Sequence, residues 1–119
     1  MYKVENNTIT ISRGDTGALK IIAETEKVFT SDDRALFSIK NAVGDIVKQS
    51  VHELDENKSF IVTFYNSDTD NLTQGNYYWD VRYVIHPYYD STGKIINGDQ
   101  VLTPMTPQSM QILEVVGDV

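Results

Sequence analysis

Tyr77, Trp79, Val81, Tyr83 and Ile85 fall on one face of an extended chain, and Asp80 and Arg82 fall on the other. A period of two sustained over such a stretch belongs to a half-buried strand. Here the apolar face is very large. The run is entered through Leu72-x-x-Gly75, which reads as a tight corner. Pro87 is expected to end it, because proline cannot donate to a ladder.

The same alternation recurs along the chain. Ile9 and Ile11 share a face of Thr8–Ser12, and Leu19 and Ile21 share one between Ala18 and Glu24. Gly14-Asp15-Thr16-Gly17 between them is a turn, since glycine tolerates positive φ and Asp bonds its own backbone. Ala35, Phe37 and Ile39 alternate next. Leu36, Ile39 and Val43 also fit a helical spacing, but Gly44-Asp45 closes a hairpin into Ile46–Val51, which favours strand. Phe60, Val62 and Phe64 mark a strand over 59–65. Ser67-Asp68-Thr69-Asp70 resembles a capping box and predicts one helical turn reaching Leu72, ended by Gly75. Tyr88–Gly93 reads as a loop, and Asn97-Gly98 as a hairpin turn between Lys94–Ile96 and Asp99–Leu102. A linker with two prolines, Thr103–Pro107, leads to a last strand through Met110, Ile112 and Glu114-Val115. About eight strands, almost no helix and closely spaced turns predict a β-sandwich or small barrel.

The chain has 119 residues, which suits a single domain over 1–119. A domain of this size buries about two-thirds of its unfolded surface. It has no cysteine, which excludes disulfides and thiolate metal sites and fits a reducing cytoplasm. The start, Met1 to Asn7, lacks the apolar stretch of a signal peptide. No run approaches the roughly 20 apolar residues of a membrane-spanning helix. No membrane partner and synthesis in the cytosol are therefore expected. The net charge of −7, with scattered Lys and Arg, makes nucleic acid a poor partner and is read as solubility.

Candidate chemistry is sparse. Arg13-Gly14-Asp15 matches an adhesive tripeptide, but a strand corner needs Gly14 and Asp15 in any case. Asn66, Asp68 and Asp70 have the spacing of the first calcium-loop ligands. Asn71 then stands where glycine is wanted and Tyr77 where a bidentate Glu belongs, so a capped turn is the better reading. His52 and His86 have no metal-spaced companion, and no nucleophile elbow or phosphate-cradling glycine loop is present. The chain is read as a non-enzyme with no catalytic, cofactor-binding or metal-binding residues and no cofactor. Tyr77, Trp79 and Tyr83 have the makings of a sugar-stacking platform, but their alternation with Val81 and Ile85 assigns them to the core. Tyr88 and Tyr89, adjacent beside Pro87, are candidate interface residues, since aromatic side chains are enriched at interfaces. Local packing of one of the two rings is the alternative.

These motifs and their order resemble a family of small bacteriophage structural proteins, similar to the amino-terminal domain of baseplate upper proteins and related tail components. The matching features are the strand and Arg-Gly-Asp-Thr turn at Ile9–Thr16 and the strand pair at Ala35–Val51. They continue with the signature Asp68, Leu72, Gly75, Tyr77, Trp79, Asp80 and Val81, then the closing hairpin and strand between Gly98 and Val115. The stretch 86–97 is a longer, tyrosine-containing loop than the family pattern leads one to expect. The resemblance implies an immunoglobulin-like antiparallel β-sandwich of about seven to eight strands. It also implies a non-enzymatic tail or baseplate part, made in the bacterial cytoplasm and carried in the virion. Its partners would be other phage structural proteins, with homo-oligomers formed on assembly. An immunoglobulin-like binding module for cell-surface carbohydrate or a protein receptor is the alternative.

Overall fold

In the structure, a computed structural model that describes residues 1–114, the chain is all-β apart from a single helical turn. The elements are β1 Tyr2–Glu5, β2 Thr8–Ser12, β3 Gly17–Ile22, β4 Arg34–Lys40, β5 Ile46–Glu53, β6 Ser59–Phe64, α1 Asn66–Thr69, β7 Gly75–Tyr89, β8 Ile95–Leu102 and β9 Gln108–Leu113. Val115, expected in the last strand, lies outside the described residues. The strand beyond the expected number is β1. It is paired with β2 through Asn6 and Asn7, which take φ of 51° and 63° and so close a two-residue hairpin. Asn tolerates that left-handed region better than most residues.

One sheet runs β1-β2-β9-β7-β4-β5, with β8 added to β7, and the second is the pair β3-β6. The expectation of antiparallel pairing throughout fails at one ladder. β2 and β9 run parallel, with Ile9 opposite Met110 and Ile11 opposite Ile112. They come from opposite ends of the chain, so no tight hairpin dictates their relative direction.

The inward faces of the two sheets share one core. Ile9 and Ile11 of β2, Phe37 and Ile39 of β4, Phe60, Val62 and Phe64 of β6, and Met110 and Ile112 of β9 all belong to it. So does the alternating face of β7, from Tyr77 through Tyr83. Aromatic rings bridge the layers. Phe37 meets Phe64 edge-on at 5.9 Å, and Phe60 meets Tyr83 at 6.4 Å. Tyr2 closes one side by lying over Gly17, where a Cβ would come within 2.5 Å of its ring, and by donating its hydroxyl to the Ala18 carbonyl at 3.0 Å.

Two turn expectations need correction. Pro87 does not end β7, which continues to Tyr89, so Tyr88 and Tyr89 lie in a strand. Beyond Val84, β7 has lost β4 as a neighbour and, among the described residues, pairs with β8 alone. Proline is tolerated on such an edge. Asn97-Gly98 is no turn either, because it sits within β8 opposite Tyr88 and Pro87. The reversal occurs earlier, where the Asp90 carboxylate accepts the Thr92 and Lys94 N–H groups at 2.8 and 3.0 Å and Gly93 takes φ of 85°. Gly98 is needed for closeness instead, since a Cβ there would stand 2.5 Å from Val84 Cγ1 and 2.8 Å from the Ile85 carbonyl.

Candidate functional site

Past Val84 and before Val101, β7 and β8 pair only with each other among the described residues. They form a two-stranded arm that continues beyond the ends of β4 and β9. The molecule measures 47 × 32 × 24 Å. Its radius of gyration, 15.0 Å, exceeds the value of about 13.5 Å typical of a compact chain this long.

The base of the arm is held by a buried carboxylate. Asp33, 2% exposed, accepts the N–H of Thr30 at 2.8 Å and of His86 at 2.9 Å. His86 takes φ of 49°, so the strand kinks where Asp33 grips it. Buried carboxylates are tolerated when their oxygens are hydrogen-bonded in this way.

The arm displays Tyr88 at 47% exposure, Tyr89 at 49% and Ile96 at 63%. Neither tyrosine is buried, and of the two rings it is Tyr88 that makes local contacts. The Tyr88 ring meets His86 edge-on at 5.8 Å and its hydroxyl donates to Asp99. The Asp99 carboxylate, by hydrogen bond and by charge, raises the Tyr88 pKa above its ordinary value. An exposed ring tethered in this way has less rotamer freedom to lose when a partner covers it.

Most of the other residues singled out in the sequence are engaged in the core or in local turns. Tyr77, Trp79 and Tyr83 are all core residues. Trp79 is 3% exposed, stacks on Phe37 at 5.6 Å and donates its indole N–H to the Asn7 carbonyl at 2.9 Å, so no sugar can stack on it. The Tyr77 hydroxyl reaches back to the Thr73 carbonyl at 2.8 Å and thereby ties the corner into β7.

Arg13–Thr16 and the helical turn α1 dock on each other. The Gly14 N–H donates to Thr69 Oγ1 at 2.8 Å, and Asn66 Nδ2 donates to the Gly14 carbonyl at 2.8 Å. Arg13 pairs with Glu114. The turn begins two residues earlier than its sequence suggests, because the Asp68 carboxylate accepts the Tyr65 N–H at 2.7 Å. Asn66 and Asp68, two of the calcium-spaced residues, are thus engaged in local structure. Among the described residues, no three His, Asp or Glu side chains converge on a point that a cation would occupy.

The sequence reading weighed His52 by itself and missed the cluster it belongs to. Lys48, Ser50 and His52 lie directly opposite Ile39, Phe37 and Ala35 in the β4–β5 ladder. They therefore share the inward face, and they line a cleft of about 350 Å³ between β5 and β6. His52 stacks on Phe60 at 5.1 Å, its Nε2 lies 2.6 Å from Ser50 Oγ, and burial pushes its pKa below the usual histidine value. The available signal was the polar alternation Lys48-x-Ser50-x-His52 facing the apolar alternation of β4. Compared with family models and with curated proteins, the chain finds no match.

Proposed function

We propose that this chain is a non-enzymatic structural component of a bacteriophage or prophage tail or baseplate, working through protein–protein assembly. The observation that carries the assembly reading is the β7–β8 arm. A ribbon that runs out of the large sheet past the ends of β4 and β9, with Tyr88 and Tyr89 about half-exposed and Ile96 more so, suits insertion against a neighbouring subunit, where aromatic anchors dominate binding. The phage context comes from the resemblance carried by Arg13–Thr16 and by Asp68 through Val81. Those two segments hydrogen-bond to each other through Gly14 and Thr69, which supports a common architecture rather than a ligand site.

Within this proposal the domain is an immunoglobulin-like sandwich. Three features support that reading: the tyrosine corner made by Tyr77 and Thr73, the β9-β7-β4 sheet extended by β5, and the separate β3-β6 layer.

The test is mass spectrometry of purified phage particles for the tryptic peptide Asn41–Lys48. Several copies per particle would bear the proposal out. Particles that contain the other tail proteins but lack this peptide would refute it. A module that reads carbohydrate is the second reading, favoured by the same two exposed tyrosines. Saturable amide shifts at Tyr88 and Tyr89 on adding cell-wall oligosaccharides would select it.

A further inference from the structure

The two sheets are unequal, and one side of the sandwich is open. Among the described residues β3 and β6 form the small sheet alone, and the outer edge of β6 has no neighbouring strand. The phase of the ladder tells which backbone groups face that edge. The Ala23 N–H donates to the Lys58 carbonyl at 2.8 Å, one pair beyond the end of the β3–β6 register. Antiparallel pairs alternate between bonded and non-bonded. Phe60, Val62 and Phe64 therefore turn their N–H and C=O groups toward β3, and Ser59, Ile61 and Thr63 turn theirs outward.

Ser59 agrees with this phase, and its outward groups are occupied. Its N–H donates to Asp55 Oδ1 at 2.8 Å, and its carbonyl accepts the Asp55 N–H at 3.0 Å. Ile61 and Thr63 present theirs to the open side. An unpaired edge of this kind is a template for an added strand.

Beneath that position lies the cleft. Its apolar walls include Phe37, Ile39, Val62 and Phe64, and on β5 the inward row Lys48, Ser50 and His52 lines it. Inward positions of a closed sandwich are apolar. Three successive polar residues there suit a strand that brings polar side chains of its own. Lys48 makes no ion pair among the described residues. Asp68 also lines the cleft, but its carboxylate is engaged by the Tyr65 N–H.

We propose that the β5–β6 cleft receives an extended segment of a partner protein, which adds as a strand to the open edge of β6 and sets a carboxylate against Lys48. The segment pairs with the backbone of Ile61 and Thr63. Its inward side chains alternate over Lys48, Ser50 and His52, and an acidic residue meets the ammonium. The cleft is separate from the arm, so this proposal stands or falls independently of the phage assignment.

The experiment titrates the 15N-labelled chain with a blocked octapeptide of alternating Val and Glu, and separately with its Val/Lys counterpart. The acidic peptide is expected to give saturable shifts confined to β5 and β6. It should slow amide exchange at Ile61 and Thr63 while leaving Phe60 and Val62 unchanged. Lys48→Glu should weaken the acidic peptide by about ten-fold or more and transfer preference to the basic one. If that variant does not fold, Lys48→Gln should abolish the discrimination between the two peptides. No saturable change at Ile61 and Thr63 at millimolar peptide would overturn the proposal, as would equal response to both peptides. Shifts at those amides that depend on protein concentration alone would also overturn it, by assigning the edge to a second copy of this chain.

Discussion

Replacing Thr69 by valine tests whether the Arg-Gly-Asp-Thr turn is a structural corner. Thr69 is fully buried, and its hydroxyl accepts the Gly14 N–H at 2.8 Å. Valine has nearly the same shape but no acceptor. The Gly14 N–H would then lose its partner where the protein partly covers it. A buried donor left unpaired costs about 1–3 kcal/mol. Gly14 is only half-buried, so some compensation by water places the expected loss in the lower half of that range, about 1–2 kcal/mol. For a domain of this size that corresponds to a Tm lower by about 4–8 °C. Urea unfolding followed by Trp79 fluorescence reads the same quantity as a shift in midpoint at unchanged slope. Asn66→Ala removes the other half of the clasp and should cost about 0.5–1.5 kcal/mol. Both side chains hold one peptide group, so the double variant should lose less than the sum of the two. Thr69→Val within about 0.3 kcal/mol of wild type would refute the reasoning, because the turn would then be held by something other than α1.

Trp79→Ala should destabilise the fold by about 3–5 kcal/mol in the same assay, and a near-neutral result would mean that the β7 face is not the core. Gly98→Ala should cost about 1–3 kcal/mol. The added methyl meets the Ile85 carbonyl at 2.8 Å as well as Val84, and unchanged Tm would show that β8 does not need that close approach. Acidification should act first through His52. Its folded pKa lies below the ordinary 6.5, so the unfolded chain takes up the proton first and stability falls as pH drops below that value. His52→Gln should flatten the part of the stability profile that lies below the ordinary histidine value of 6.5. Asp90, whose pKa is lowered chiefly by the Thr92 hydroxyl, has the same sign of effect at lower pH. Its contribution is present above the ordinary carboxylate value of 3.8 and is lost as pH falls through the folded pKa.

Local pattern made most of the strands legible. Ile9/Ile11, Ala35/Phe37/Ile39, Phe60/Val62/Phe64 and Tyr77 through Tyr83 all fall on the buried faces that their alternation predicts, because the period of a strand is a property of the backbone alone. Errors arose where a residue has more than one use. Pro87 stops a central strand but not an edge, and only the loss of β4 beyond Val84 makes it an edge. Asn97-Gly98 has the composition of a hairpin turn, yet Asp90 and Gly93 reverse the chain first and Gly98 admits a close neighbour instead.

The amino-acid sequence by itself determined the all-β class of this protein and the positions of its core side chains. It also singled out Tyr88 and Tyr89, though as loop residues. Only the tertiary structure decided that β2 and β9 run parallel, that β7 and β8 leave the sandwich as an arm, and that Lys48, Ser50 and His52 face an open cleft below the unpaired edge of β6. Alternation specifies which side of a strand is apolar. It does not specify which strand lies alongside, and an edge or a cleft exists only through the absence of a neighbour.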